Sequence, residues 1–241
     1  MTGTALLMAG GRSERMRAGG CKTHKALRTI CGTSLLQHNL ETLFSFDFKN
    51  VTVAVNRAEA GLLAAIDALC PVAARAGAVL SALIEDQPLG TIGAARWMST
   101  SAEDFLVVNV DNLTDLDLQA FFAHHLESRA ALTVACHLEA FRVPFGQLEV
   151  SGSRVTGCKE KPTIPILISS GAYALNRRAI AAIPPDQKTH APDLINSLSA
   201  RGELVCHFQH EAWWIDVNDE MALARAEAAL EQRTSAMAAS A

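Results

Sequence analysis

The chain has 241 residues, of which 49% are hydrophobic and 19% are charged, and a formal net charge of −4 at pH 7. This length and apolar content predict a single domain at residues 1–232, followed by a disordered tail at residues 233–241. The weak acidic balance excludes a general nucleic-acid-binding surface, although a local basic pocket could still bind a nucleotide.

The sequence contains no recognisable membrane or export signal. No apolar run approaches the roughly 20 residues that a helix needs to span a bilayer, and the first residues lack the basic and apolar stretches of a signal peptide. The six cysteines are scattered and form no C-x-x-C pair, which is typical of reduced thiols. We therefore expect a cytoplasmic location and no membrane partner.

Apolar runs and helical patterns alternate along most of the chain. This alternation predicts βαβ units and an α/β fold, in which helices cover both faces of a doubly wound, mostly parallel sheet. The predicted strands are Ala5–Met8, Val51–Val55, Val79–Ile84, Phe105–Val110, Leu132–His137 and Ser170–Leu175. The predicted helices are Ser34–Phe44, Glu59–Leu69, Ile92–Met98, Asp117–Glu127 and Asp219–Gln232.

The pattern changes after residue 138. Two short strands are predicted at Gly146–Val150 and Arg154–Cys158, and the Ser-Gly-Ser segment between them is typical of a hairpin turn. We interpret this region as a small β-rich, substrate-facing elaboration of the same domain.

The first predicted strand leads directly into a glycine turn. Gly10 and Gly11 follow the apolar run, and such turns can present backbone N–H groups to phosphate oxygens. Arg12, Arg15 and Lys25 would add positive charge at the same point. We therefore expect this turn to bind a nucleoside triphosphate, although it lacks the G-x-x-x-x-G-K-[ST] pattern of a Walker loop. Taken alone, a glycine pair after a strand marks only a turn.

Two aspartates follow apolar strands at positions suited to a metal ion. Asp111 ends the run that begins at Phe105, and Asp216 ends a Trp-Trp-Ile run. Ligands of open α/β sheets lie at the carboxyl ends of strands, and Mg²⁺ takes one or two carboxylates together with phosphate oxygens. We therefore expect both aspartates to hold Mg²⁺. The alternative for Asp111 is that it opens a turn before a helix N-cap at Asp117.

Two further segments are candidates for contact with a nucleotide or a sugar. Gln87 and the Gly90 amide precede a predicted helix, where small residues let a flat base approach; the alternative is an ordinary loop with Thr91 as helix N-cap. Glu160 could accept hydrogen bonds from a sugar diol and Lys161 could bind a phosphate, although an exposed ion pair is the commoner role for such neighbours.

In this order, the motifs resemble those of the sugar-1-phosphate nucleotidyltransferases. The family's opening, A-G-G-x-G-T-R-L followed by P-K-x-L, has counterparts in A-G-G-R-S-E-R-M at residues 9–16 and H-K-A-L at residues 24–27. The remaining counterparts are P-L-G-T-I-G-A at 88–94, N-V-D at 109–111, V-T-G-C-K-E-K-P at 155–162, S-S-G-A-Y at 169–173 and W-I-D at 214–216.

The resemblance implies a Rossmann-like fold and a direct displacement, in which a sugar-phosphate oxygen attacks the α-phosphorus of a nucleoside triphosphate and expels pyrophosphate. It implies that Arg15 and Lys25 stabilise charge on the phosphates and that Asp111 and Asp216 bind Mg²⁺. The implied nucleotide-binding residues are Gly10, Gly11, Arg12, Gln87, Gly90 and Thr91. The implied sugar-phosphate contacts are Gly146, Glu160, Lys161, Ser170 and Gly171.

Several positions depart from the family pattern. Ser13 and Glu14 replace Gly-Thr in the glycine loop, and His24 replaces the proline before Lys25. Lys22 is a second candidate for the role of the family's lysine.

The sequence leaves the substrates open. The E-x-x-P-L-G-T-x-G-A pattern that ends at Ala94 favours a guanylyltransferase that uses GTP and mannose- or heptose-1-phosphate. One alternative is a uridylyltransferase for an amino-sugar or muramic-type phosphate, and another is a non-catalytic regulatory homologue that binds a nucleotide sugar. The oligomeric state is also open, with a homodimer as one expectation.

Overall fold

The computed structural model describes residues 3–11, 23–98 and 101–239, with side chains up to Arg233. The strands are β1 Gly3–Met8, β2 Thr29–Ile30, β3 Thr33–Ser34, β4 Phe48–Asn56, β5 Val79–Glu85, β6 Asp104–Asn109, β7 Asn112–Thr114, β8 Leu132–Arg142, β9 Gln147–Ser151, β10 Arg154–Lys159, β11 Thr163–Asn176, β12 Val205–Gln209 and β13 Trp214–Asp216. The helices are α1 Leu35–Ser45, α2 Ala60–Arg75, α3 Leu118–Ser128, α4 Arg177–Ala182, α5 Ala191–Ala200 and α6 Glu220–Ala239. Short 3-10 turns lie at Lys25–Leu27 and Gly93–Trp97.

A seven-stranded sheet in the order β12-β8-β11-β6-β1-β4-β5 forms the centre of the fold. Its neighbouring strands are parallel, except that β11 runs antiparallel to both β6 and β8. Antiparallel neighbours need no crossover helix, and β11 follows β8 with only the β9–β10 hairpin between them. The sheet confirms the predicted α/β, mostly parallel architecture.

Helices cover both faces of this sheet. In β1, Ala5 and Leu7 belong to a core cluster that includes residues of α1, α2 and α3. Leu6 and Met8 belong to the cluster on the opposite face, which includes residues of α4 and α5. Two-sided burial is what a doubly wound sheet requires, and it leaves the carboxyl ends of the strands as the edge where loops converge. None of the helices in the described ranges is both long and apolar enough to cross a membrane.

Two strands are longer than the sequence pattern predicts. β8 continues beyond His137 to Arg142, and β11 begins at Thr163 rather than at Ser170. These extra halves pair with each other and are mostly exposed. Because neither face is consistently buried, the segments lack the apolar run or the clean alternation by which strands are recognised in a sequence.

The helices also differ from prediction at several points. The predicted helix Ile92–Met98 is a 3-10 turn at Gly93–Trp97. The short helix α4 and the helix α5 have no counterpart among the predicted helices. Helix α6 runs to Ala239 and so enters residues 233–241, for which a disordered tail is predicted. The physical reason is the high helix propensity of the alanine-rich terminal sequence.

Candidate active site

A glycine just after the first strand packs against the end of another strand. Gly10 follows β1, and a Cβ atom added to it would lie 2.0 Å from Oε2 of Glu85, the last residue of β5. A Cβ atom on Gly11 would meet nothing within 4 Å among the described residues. This close approach explains why residue 10 is a glycine.

Glu85 is a buried carboxyl group beside this turn. The residue is 3% exposed, and its Oε1 has no hydrogen-bond partner in the described part of the chain. Burial raises the pKa of this carboxyl from 4.5 to about 7, and a hydrogen bond from the backbone of Leu89 opposes that shift. A ligand with hydrogen-bond donors would stabilise the ionised form of such a group.

The residue predicted from the sequence to contact the nucleotide base is Gln87, and its side chain is exposed. Glu85 is not among the predicted contacts. The sequence signal for Glu85 is its place at the start of the E-x-x-P-L-G-T-x-G-A pattern.

His24 connects the glycine turn to the following 3-10 turn. Its Nδ1 accepts a hydrogen bond from the Ala26 backbone N–H at 3.2 Å. We therefore assign the proton to Nε2, which donates to the Gly11 carbonyl oxygen at 2.9 Å. The proline of the family pattern could form neither bond. His24, which is 3% exposed, thus fixes Gly11 relative to Lys25.

Lys25 and Asp111 form an ion pair close to the carboxyl ends of β1 and β6. Lys25 Nζ donates to Asp111 Oδ2, and the two side chains are 20% and 18% exposed. The pair is therefore partly shielded from solvent yet still accessible to a ligand. The predicted phosphate-binding residues Arg12 and Arg15, and the alternative lysine Lys22, lie outside the described residues.

The backbone holds Asp216 beside Asp111. In the β7–β13 ladder Asp216 pairs with Asn112, and the Val217 N–H donates to the Asp111 carbonyl oxygen at 2.8 Å. Asn218 Nδ2 donates to Asp216 Oδ2 at 2.8 Å and so orients that carboxylate. Residues 3–11, 23–98 and 101–239 contain no group of three His, Cys, Asp or Glu side chains that could hold a metal ion. Two carboxylates would therefore need phosphate oxygens and water to complete a Mg²⁺ shell.

A buried asparagine fixes the residue before Asp111. Asn39 of α1 donates from Nδ2 to the carbonyl oxygens of Leu35 at 2.9 Å and Val110 at 3.0 Å. These bonds tie the helix to the end of β6. In the sequence, Asn39 is distinguished only as a polar residue on an otherwise apolar helix face.

Ser170 and Gly171, both predicted sugar-phosphate contacts, lie in β11 against β7. Gly171 has φ +72°, and a Cβ atom on it would lie 1.8 Å from Asn112 Nδ2, so only glycine fits. The Ser170 carbonyl oxygen accepts hydrogen bonds from Asn112 Nδ2 at 2.9 Å and Trp214 Nε1 at 2.8 Å. Ser170 of β11 is thus hydrogen-bonded to both β7 and β13, next to the predicted metal ligands Asp111 and Asp216.

The Ser170 hydroxyl lies between two histidines. Its Oγ is 2.8 Å from both His137 Nδ1 and His210 Nε2, and His137 Nε2 is 3.5 Å from Glu139 Oε2. Burial, reinforced by His137, lowers the pKa of His210, while Asp115 opposes the shift. Because His210 Nδ1 has no partner among the described residues, we assign its proton to Nε2. A chain of hydrogen bonds then runs from His210 through Ser170 to His137. That Ser170 also contacts a sugar phosphate stays a prediction.

The other predicted sugar-phosphate contacts meet at the base of the β9–β10 hairpin. Gly146 precedes β9, and a Cβ atom on it would lie 3.4 Å from Glu160 Oε2. Lys161 follows with φ +45°. Glu160 and Lys161 are both exposed, so a ligand can reach them.

The loop predicted to hold the base is anchored by the segment before α5. Gly90 has φ +88°, and a Cβ atom on it would lie 2.3 Å from the Thr189 carbonyl oxygen. Thr91 Oγ1 accepts a hydrogen bond from the Ala191 N–H at 3.0 Å. Thr91 therefore helps to fix the start of α5. Gly90 and Thr91 directly follow Leu89, whose backbone forms a hydrogen bond with the Glu85 carboxyl group.

Comparison with known proteins assigns the chain to a family. The model of the nucleotidyl transferase family matches residues 4–233. The mannose-1-phosphate guanylyltransferase catalytic subunit beta of Dictyostelium discoideum is 25% identical over 221 residues, which cover 88% of this chain and 60% of that protein. The bifunctional protein GlmU of Brevibacillus brevis is 24% identical over 251 residues, which cover 95% of this chain and 52% of that protein. The chain thus spans between half and three fifths of the length of these relatives.

Solved structures agree with the fold. The crystal structure of HddC from Yersinia pseudotuberculosis complexed with GMP-PN has a TM-score of 0.73 and 20% sequence identity, with coverage of 94% of this chain and 99% of HddC. Because the family model spans nearly the whole chain, the protein belongs to the nucleotidyl transferase family, in agreement with the resemblance read from the motifs.

Proposed function

We propose that the protein transfers a nucleotidyl group from a nucleoside triphosphate to a sugar 1-phosphate and releases pyrophosphate. The observation that carries this proposal is the Lys25–Asp111 ion pair beside the Gly11 turn, at the edge of the sheet where Asp216 also lies. Displacement at phosphorus needs positioned reactants and neutralised charge rather than a protein nucleophile. The named activity of the Dictyostelium relative supports the same reaction.

Within this proposal the chain's own residues have distinct roles. Lys25 donates to phosphate oxygens and keeps Asp111 oriented, while His24 holds the Gly11 carbonyl and so the shape of the phosphate turn. Asp111 and Asp216 would hold Mg²⁺, which when bound offsets the negative charge of the triphosphate. Arg15 adds a further cation to the phosphates.

The buried carboxyl of Glu85 supports GTP as the donor substrate. The Watson–Crick edge of guanine carries two adjacent N–H donor groups, and a carboxylate can accept both. Uracil presents one N–H between two carbonyl oxygens, and those oxygens would repel the second carboxylate oxygen. The unpartnered Oε1 of Glu85 and the pKa of about 7 fit a group that is stabilised when guanine arrives.

The acceptor sugar is the less constrained part of the proposal. Mannose-1-phosphate is supported by the name of the Dictyostelium relative, and heptose-1-phosphate is kept from the sequence pattern. Gly146, Glu160 and Lys161 are close enough to bind one sugar phosphate together. The alternative read from the sequence is an amino-sugar or muramic-type 1-phosphate with UTP as the donor.

A pyrophosphate-release assay tests the reaction. The protein is incubated with Mg²⁺, each of the four common nucleoside triphosphates and a panel of hexose, amino-sugar and heptose 1-phosphates. Release with GTP and a mannose- or heptose-type acceptor is the expected result. Preference for UTP and an amino-sugar phosphate would support a uridylyltransferase instead. Absence of pyrophosphate release with every pair would support a non-catalytic homologue.

The same assay with Glu85→Gln tests the donor assignment. A glutamine keeps the size of the side chain but replaces one acceptor oxygen with an N–H donor, which would face a guanine donor. We expect kcat/KM for GTP to fall by about 10- to 100-fold, with a smaller loss for UTP. An unchanged ratio between the two nucleotides would show that Glu85 does not contact the base.

A further inference from the structure

The two members of the Lys25–Asp111 ion pair are held by the fold in different ways. The Asp111 carbonyl oxygen accepts a hydrogen bond from the Val217 N–H at 2.8 Å. The preceding carbonyl oxygen, that of Val110, accepts from the buried Asn39 Nδ2 at 3.0 Å. Because an aspartate side chain is short, these backbone anchors leave its carboxylate little room to move.

Lys25 is held through its backbone, whereas its side chain is long. The Leu27 N–H donates to the His24 carbonyl oxygen at 2.9 Å. The Arg28 N–H donates to the Lys25 carbonyl oxygen at 3.0 Å. A lysine carries a compact charge on a flexible stem, and this side chain is 20% exposed. Rotation about the stem can move the ammonium group away from Asp111 without a change in the backbone.

The phosphate turn lies beside Lys25. His24, the residue before it, donates from Nε2 to the Gly11 carbonyl oxygen at 2.9 Å, and this bond keeps the backbone of Lys25 next to the turn. A lysine ammonium group binds phosphate as a point charge. Two anions are therefore within reach of it, namely the Asp111 carboxylate and, under the proposed function, a phosphate group of the nucleotide.

The Lys25 ammonium group also stands where it would compete with a metal ion. Asp111 and Asp216 are the predicted Mg²⁺ ligands, and carboxylate oxygens are donors that Mg²⁺ prefers. The ammonium group neutralises Asp111 by direct contact, in a place that is only partly open to solvent. A divalent ion on the same carboxylate would be next to this positive charge, and like charges in a shielded site repel strongly. Tight binding of the ion therefore requires the ammonium group to move.

We propose that Lys25 exchanges between two anionic partners: it pairs with Asp111 when no divalent ion is bound, and with the phosphates of the nucleoside triphosphate when Asp111 holds Mg²⁺. The inference rests on the proposed function for the identity of the second partner. Its consequence is that the ion and the nucleotide bind cooperatively. Each ligand removes a charge that opposes the other, and such coupling is reciprocal.

Mn²⁺ binding without nucleotide tests the exchange directly. Free Mn²⁺ is measured by electron paramagnetic resonance with the wild type and with Lys25→Met, which removes the charge and keeps the length of the side chain. We expect Mn²⁺ to bind the variant at least about 10-fold more tightly. Lys49→Met is the matched control, because Lys49 Nζ lies 3.7 Å from Asp47 Oδ1 and its side chain is 23% exposed. It should bind Mn²⁺ as the wild type does, and equal or weaker binding by Lys25→Met overturns the proposal.

A second background shows whether the effect passes through Asp111. Asp111→Asn alone should weaken Mn²⁺ binding. Adding Lys25→Met to it should change the affinity by no more than about 3-fold, since the carboxylate for which the two cations compete is gone. A gain as large as in the wild-type background would mean that Lys25 repels the ion without pairing with Asp111, which contradicts the exchange.

Lysine labelling tests the same movement in the wild-type chain, with no need for a variant to fold. Acetic anhydride reacts with amines, and mass spectrometry maps the modified positions. Saturating Mn²⁺ should speed the modification of Lys25, because its ammonium group leaves Asp111, and should leave that of Lys49 unchanged. Unchanged labelling of Lys25 would show that the ion pair stays intact when the ion binds.

GTP binding in the presence of EDTA tests the second partner. Asp111→Asn releases Lys25, so calorimetry should show GTP binding about 10-fold more tightly than to the wild type. In the Lys25→Met background the same substitution should change the GTP affinity by no more than about 3-fold. Equal gains in both backgrounds would reflect the lost carboxylate charge alone and would exclude the exchange. A chain that shows all these shifts but releases no pyrophosphate would refute the proposed reaction and not the exchange.

Discussion

Oε2 of Glu85 occupies the space that a Cβ atom on Gly10 would need, at 2.0 Å from its position. The end of β1, which leads to the phosphate turn, and the end of β5, which leads to the base-binding loop, are therefore in direct contact. A substitution at either residue should therefore change the packing of the other.

Gly10→Ala tests this contact. The added methyl group must displace the buried carboxyl of Glu85, so we expect a loss of about 1–3 kcal/mol in the free energy of unfolding. Gly11→Ala is the matched control for stability, because its Cβ atom meets no described atom within 4 Å. Urea unfolding measures both. In the double variant Gly10→Ala/Glu85→Ala the clash is removed, and losses that simply add would argue against a direct contact.

The raised pKa of Glu85 makes stability depend on pH in a defined direction. The folded-state pKa, about 7, lies above the ordinary value of 4.5, so the folded chain binds this proton more tightly. This stabilisation is fully present below pH 4.5 and is lost as the pH rises through 7. By pH 8 the free energy of unfolding has fallen by about 3 kcal/mol on this account. Glu85→Gln stays neutral throughout. In urea unfolding, the free energy of unfolding of the variant should rise relative to that of the wild type between pH 5 and 8. Parallel pH profiles would show that Glu85 does not titrate as a buried group.

The place of Asp111 at the edge of the sheet could be predicted because a buried strand leaves a clear pattern and ends at that edge. Glu85, His24 and Asn39 escaped prediction for a different reason. Their partners are backbone groups or glycines far away in the chain, and nothing in the local sequence records those contacts.

The distal halves of β8 and β11 show the same limit at the level of secondary structure. Strand patterns reflect burial, and the extra halves of β8 and β11 are exposed on both faces. Their apolar residues do not recur at every second position, which is the pattern that marks a strand with one buried face.

Asp111→Asn tests the charge at the centre of the site. The amide keeps the shape but loses the charge that pairs with Lys25, so we expect kcat to fall by about 100-fold or more while the fold is retained. Asp115→Asn is the control, since Asp115 pairs with Arg233 and both side chains are partly exposed. Pyrophosphate release and circular dichroism give the two readouts. Near wild-type turnover in Asp111→Asn would contradict the proposed role.

His24→Ala tests the link between the phosphate turn and Lys25. Loss of the bond to the Gly11 carbonyl should free the turn and raise KM for the nucleoside triphosphate by about 5- to 10-fold, the equivalent of one hydrogen bond. His24→Gln can donate to the same carbonyl and should recover part of that loss. Identical KM values in the two variants would show that the bond does not position the turn.

Ser170→Ala removes the hydroxyl between His137 and His210. Two buried ring nitrogens would lose their partner, and we expect a loss of about 1–3 kcal/mol in the free energy of unfolding. Ser45→Ala is the control, because that hydroxyl donates to the Thr42 carbonyl oxygen from an exposed position. An equal and small loss in both variants would mean that the hydroxyl between the histidines contributes little.

His210 should make the protein less stable in mild acid. Its folded-state pKa lies below the ordinary value of 6.5, so the unfolded chain takes up a proton that the buried ring resists. The contribution is present above pH 6.5 and is lost as pH falls below it. His210→Gln keeps a donor for Ser170 but does not titrate, and its unfolding free energy should fall less between pH 7.5 and 5.5. His207→Gln, at an exposed position of β12, is the control and should follow the wild-type profile. If both variants track the wild type, His210 does not set the acid response of this fold.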